Sequence, residues 1–204
     1  QYVRKCIAAR PKNQPLPQWR QPGSEPGAMF IRKEQCNFGW DWGPSLVTCG
    51  IWKPITIVAF DTARLHEVHI TQNHTKKGQV SLAVAVEAER VRSSARLSAR
   101  VRVEYKGALV TTAEIPLAGG KGVAQLVVKN PALWWPAGMG AQPLYTVTVE
   151  VLDGDGATLD RTQKRVGLRT LRLDRHKDQW GESFQFVANG IPFFAKGANW
   201  IPGD

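Results

Sequence analysis

A period of two constrains this chain more than any other feature. In "QVSLAVAVEAE" (79–89) every second residue from Val80 to Val86 is a branched aliphatic, with small or polar residues between. Only an extended strand, whose side chains alternate between faces, gives such a run one apolar side. "YTVTVEVLD" (145–153) repeats the pattern, with Tyr145, Val147, Val149 and Val151 inward and Thr146, Thr148 and Glu150 outward. "ARLSARVRVEYKG" (95–107) sets Leu97, Ala99, Val101, Val103 and Tyr105 against Arg96, Arg100 and Arg102, and "GVAQLVVKN" (122–130) is similar. Turn signals such as Gly154-Asp155-Gly156 separate the runs, and no helical stripe competes with them. Roughly seven strands over residues 61–175 predict an all-β, immunoglobulin-like antiparallel sandwich.

The same alternation bears on charge. A formal net charge of +10 raises the prospect of an anionic partner. The arginines of 95–107, however, fall on the outer side of a predicted strand, where solvation explains them, and no nucleic-acid-binding motif accompanies them. No run of eighteen apolar residues provides a membrane span. The first residues, "QYVRKCIAARPKN", lack the layout of a signal peptide, and compartment stays undetermined.

Tempting motifs fail on spacing. His66-Glu67-Val68-His69 is not the zinc pair, whose histidines stand one helical turn apart. On a regular strand these two would point to opposite faces. "GGKG" (119–122) and "DGDG" (153–156) read as turns rather than phosphate or calcium loops. Cys6, Cys36 and Cys49 have no CxxC spacing, so no zinc site or disulfide framework is expected; a single disulfide stays open. Asn73-His74-Thr75 fits the glycosylation triplet, a common chance pattern. No metal or cofactor is expected.

The flanks of the sandwich differ in character. Residues 9–28 are rich in Pro, Gly and Gln and read as an irregular loop. "MFIRKEQCNF" (29–38) and "IWKPITIVAFD" (51–61) are strand-like. They flank "NFGWDWGPSLVTCGIW" (37–52), in which Trp40 and Trp42 bracket Asp41. On a strand the two indoles would share a face opposite Asp41; a loop would aim all three into one cleft. Such a cleft suits a sugar, since an indole offers an apolar face to pyranose C–H groups and a carboxylate accepts from neighbouring hydroxyls. Core packing with a turn aspartate is the competing reading. After the sandwich, "FQFVANGIPFFAKGANWIPGD" (184–204) holds two strand-like runs joined by Asn189-Gly190, a strong hairpin signal. The second run is nearly all apolar, as for a strand covered on both faces of a parallel barrel.

Three stretches carry a family resemblance. "RKEQCNFGWDWGPSLVTCGIWKPITI" (32–57) resembles the end of the sugar-binding domain of β-mannosidases of glycoside hydrolase family 2. "NPALWWPAGMGAQPLY" (130–145) resembles a segment of their immunoglobulin-like domain, in which Trp134 and Trp135 read as packing residues. "VGLRTLRLDR" (166–175) and "FVANGIPFFAKGANWIPGD" (186–204) resemble the passage into their catalytic (β/α)8 barrel. The resemblance implies three parts: 1–60, the C-terminal part of a jelly-roll-like sugar-binding sandwich; 61–175, the immunoglobulin-like domain; and 176–204, a truncated start of the barrel. It also implies retaining hydrolysis of terminal β-D-mannosides by two barrel glutamates about 5 Å apart. Neither glutamate falls in this chain, so no catalytic residue is assigned. Trp40, Asp41 and Trp42 are implied to hold the non-reducing sugar. Asn199, Trp200 and Asp204 lie in the segment that ends the first barrel strand, a position facing the active site. The implied partners are a β-mannoside and the remaining barrel domain, with no nucleic acid or membrane. A stand-alone carbohydrate-binding module is the rival.

Overall fold

The structure, a computed structural model, describes residues 1–9, 11, 28–91 and 96–200. The described residues up to Ile57 and those from Lys196 form one compact unit; Val58–Ala195 form another.

The larger unit is built on the alternating runs. Its strands are β3 (Ala63–Asn73), β4 (Gln79–Arg90), β5 (Ser98–Tyr105), β6 (Ala108–Pro116), β7 (Lys121–Lys129), β8 (Tyr145–Leu152) and β9 (Thr158–Val166). They form two antiparallel sheets, ordered β3-β4-β7 and β6-β5-β8-β9. Lettered A to G, this is an immunoglobulin-like sandwich whose fourth strand has joined the third rather than the first sheet. Val80, Leu82, Val84 and Val86 of β4 face Val101, Val103, Val147 and Val149 of the other sheet in one buried core. At the open side between edge strands β3 and β9, Leu65 N donates to Asp160 Oδ2 at 2.8 Å, and Lys164 Nζ donates to the Val68 carbonyl.

Three details depart from simple alternation. Thr148 and Glu150, expected outward, are 1% and 8% exposed. The outer face of β8 lies in the middle of its sheet, where long neighbours roof it. Gln163 Nε2 donates to Thr148 Oγ1 at 3.2 Å, and Arg102 Nη2 reaches Glu150 at 3.3 Å. Arg100 meanwhile pairs with Glu114 at 3.1 Å, so part of this basic face is already neutralised. The second departure is a β-bulge between Leu65 and Glu67. An extra residue shifts the alternation, so His66 and His69 are both exposed instead of facing opposite ways. Third, a short helix occupies Tyr2–Ala8, where no helix was expected.

Beyond the sandwich, β10 (Leu171–Asp174), β13 (Gln185–Ala188) and β14 (Ile191–Phe193) form an antiparallel sheet ordered β10-β13-β14. Asn189 and Gly190 make the expected tight turn, with φ of 49° and 84°. Two positive φ values give the twist that matches a hairpin. Asn189 also ties the sheet down, accepting from Thr170 N at 2.9 Å and donating to the Trp134 carbonyl at 3.0 Å. The tip between β10 and β13 extends as a narrow arm through β11 (Lys177–Asp178) and β12 (Gly181–Glu182). The long apolar run is a regular strand only at its start. Its first residues pair antiparallel with β13, and from Phe194 to Trp200 it is exposed and irregular. An extended run needs partners on its edges, and β14 has a strand on one side only among the described residues.

In the smaller unit the regular strands are β1 (Phe38–Trp40) and β2 (Gly43–Ser45). The strand-like run 29–38 instead forms 3-10 turns at Ala28–Phe30 and Gln35–Asn37. Residues 51–60 carry no regular structure, and Ile51, Trp52, Ile55 and Ile57 are largely exposed. Their β-branched composition favours a strand, but propensity alone cannot hold one without a neighbour.

Candidate functional site

Phe38 is buried and fixes the start of the β1–β2 ribbon. Phe38 pairs with Ser45 and Trp40 with Gly43, and Leu46 N donates to the Asn37 carbonyl at 3.1 Å. Asp41 and Trp42 are therefore the two residues of the turn, and Gly43-Pro44 opens the returning strand rather than ending the ribbon. Gly39, with φ of 104°, supplies a backbone geometry that a side chain would resist.

The turn brings the two indoles together. Their centroids are 6.0 Å apart with planes tilted by 37°. Trp40 is half-buried, Trp42 is 55% exposed, and the Asp41 carboxylate faces solvent. Two tilted indoles beside one acceptor offer an apolar platform with hydrogen-bonding capacity at its edge, the combination a sugar ring requires. Asn199 and Trp200 belong to the same compact unit, exposed and without regular structure. Asp204 lies outside the described residues.

Trp134 and Trp135 are half-buried in the connection between β7 and β8. The guanidinium of Arg169 sits 4.5 Å over the Trp134 ring, and a Cβ on Gly167 would come within 2.8 Å of that ring. Trp135 packs on Gly140 in the same manner. Both indoles act as packing residues within the larger unit.

The three cysteines are free thiols. Among the described residues no group of three or more His, Cys, Asp or Glu is arranged to hold a metal, and no helix is long and apolar enough to cross a membrane.

Sequence reasoning passed over one Ser, His and Asp cluster. Ser183 Oγ lies 2.9 Å and Asp174 Oδ2 3.6 Å from His176, both at Nδ1. A nucleophile–base–carboxylate relay needs its outer members on opposite ring nitrogens, so this cluster is a turn lock. His176 N donates to Ser183 Oγ, and Ser183 N to the His176 carbonyl, at the base of the arm. The arm itself was also missed, although Asp178 three residues ahead of Gly181 was a legible turn signal.

Residues 63–169 match the profile described as Glycosyl hydrolases family 2, and residues 3–53 match Glycosyl hydrolase 2 galactose-binding domain-like. The chain is 31% identical over 196 residues to "Beta-mannosidase B" of Aspergillus niger, covering 95% of this chain and 23% of that protein. It is 35% identical over 198 residues to "Beta-mannosidase B" of Aspergillus fumigatus, with the same coverage. Among solved structures, "Beta-D-Mannosidase from Dictyoglomus thermophilum" superposes with a TM-score of 0.83 at 34% identity, over 98% of this chain and 24% of that one. A Bifidobacterium dentium β-glucuronidase shares the fold with a TM-score of 0.52 at 22% identity, over 66% of this chain and 21% of its own. The chain thus spans about a quarter of the length of the relatives it matches.

Proposed function

The chain belongs to glycosyl hydrolases family 2, and from that premise we propose that it is a portion of a retaining β-mannosidase that removes terminal β-D-mannose. The observation that carries this reading is the similarity, at 31–35% identity over about 95% of the chain, to proteins named β-mannosidase. The β-mannosidase of Dictyoglomus thermophilum supports it in three dimensions.

In this reading the three parts are residues 1–60, the end of a sugar-binding sandwich; 61–175, an immunoglobulin-like spacer; and 176–204, the entry to a barrel. The two carboxylic acids of retaining hydrolysis would stand on that barrel, about 5 Å apart. This chain supplies one wall of the pocket. Trp40 and Trp42 pack on the C–H face of the terminal sugar, and Asp41 accepts from its hydroxyls. The open, tilted indole pair beside an exposed carboxylate supports that assignment. Asn199, Trp200 and Asp204 are assigned to the same pocket as the end of the first barrel strand.

Hydrolysis of an aryl β-mannoside tests the proposal. The 204-residue chain is expected to release no aryl alcohol, whereas a longer polypeptide carrying the barrel should do so. In the longer protein Asp41→Ala should lower kcat/KM about 10- to 100-fold, the loss of one or two charge-assisted hydrogen bonds. Turnover by the 204-residue chain, blocked by a mannose-like inhibitor, would overturn the division of labour. Micromolar mannose binding to this chain by calorimetry would favour a stand-alone binding module.

A further inference from the structure

The arm between β10 and β13 carries an open aromatic ring on an ordered turn. Trp180 is 85% exposed at its tip. The turn beneath is fixed: Asp178 Oδ1 accepts from both Trp180 N and Gly181 N at 2.8 Å. Gly181, at φ of 146°, allows the chain to reverse there. Lower down, the Ser183–His176 bonds hold the two sides together. The indole is thus carried on a braced support, and little backbone freedom is lost when something lands on it.

What lands there is decided by the neighbours. Lys177 stands directly opposite Glu182 in the ladder, and Arg175 Nη2 pairs with Glu182 at 2.8 Å. Two cations and one carboxylate therefore meet on the arm just below the turn that carries Trp180. A protein surface broad enough to cover Trp180 would also strip water from these three charges, a costly exchange. A sugar ring is narrower and hydrogen-bonds as both donor and acceptor. Glu182 can accept from its hydroxyls while Arg175 and Lys177 donate to them. In a β-mannopyranoside the axial 2-hydroxyl leaves from one face, so the opposite face shows only the hydrogens of C1, C3 and C5. That face fits an indole.

We propose that Trp180, with Arg175, Lys177 and Glu182, forms a saccharide-binding platform separate from the Trp40–Asp41–Trp42 turn, taking a hexopyranose unit of a β-mannoside chain. The choice of sugar rests on the β-mannosidase reading; the platform itself rests on the arm.

Native electrophoresis of the 204-residue chain through gels with and without soluble galactomannan tests it. Wild type should be retarded by the polysaccharide. Trp180→Ala should lose at least half of that retardation, and Glu182→Gln should lose a smaller part, with unchanged far-UV circular dichroism. Equal retardation of Trp180→Ala and wild type would overturn the platform, as would passage of wild type unretarded, which would leave Trp180 as a protein contact. Trp42→Ala keeps the two readings apart. Retardation lost in Trp42→Ala but kept in Trp180→Ala sinks the platform and spares the pocket. The reverse result, in a longer protein that cleaves no β-mannoside, spares the platform and sinks the mannosidase reading.

Discussion

Leu82, in the first half of β4, has no exposed surface, and its place was evident from alternation alone. Leu82→Ala should cost about 2–5 kcal/mol, the usual range for emptying a packed site, read as a lower urea midpoint at constant slope. Glu150 shows where alternation stops informing. The pattern places it outward, but the central position of β8 and the reach of Arg102 could be known only once the strand order was fixed. Gly120 is similar: a Cβ there would meet the Ala88 carbonyl oxygen at 2.6 Å, at a φ of 87°. Gly120→Ala should destabilise by about 1–3 kcal/mol by the same measurement. His74 adds a pH dependence. Partial burial lowers its pKa from the usual 6.5, so between the two values the unfolded chain binds more protons than the folded one. Stability therefore rises with pH through that window, and the penalty is fully present below the folded-state value. His74→Gln should flatten this slope in urea titrations across pH 4.5–7.5.

At the scale of elements, the Asn189-Gly190 hairpin was legible because two residues suffice to specify a twist-matched turn. Asn189 does more than turn the chain, since its amide also bonds Thr170 and the Trp134 carbonyl. Asn189→Ala should accordingly raise amide hydrogen exchange in β13 and β14 well before it affects β4 or β8. Residues 51–60 are the opposite case. Their composition reads as a strand, yet they remain irregular, because backbone pairing is a property of two segments and none of the described strands pairs with them. The Trp40–Trp42 pair lies between these cases. The sequence left open whether the residues sit on a strand or a loop, and the ladder from Phe38 to Gly43 assigns Asp41 and Trp42 to the turn.

For the molecule as a whole, the division into two compact units has a measurable consequence. The irregular, exposed stretch 46–58 leads into the larger unit. Limited proteolysis should cut there first and leave a resistant piece beginning near residue 58, since cleavage follows local opening. Mass spectrometry of the first products checks this; early cuts within β4 or β8 would contradict it.

Sequence alone determined the all-β class, the seven-strand sandwich and the aliphatic faces that fill its core, because a period of two is a local property that burial only reinforces. It also carried the family, through motifs long enough to be specific. The pairing of β5 with β8, the roof over Glu150 and the tie from Asn189 to the Trp134 carbonyl were settled by tertiary structure. Each depends on which segments meet at a distance along the chain, and no local pattern encodes that meeting.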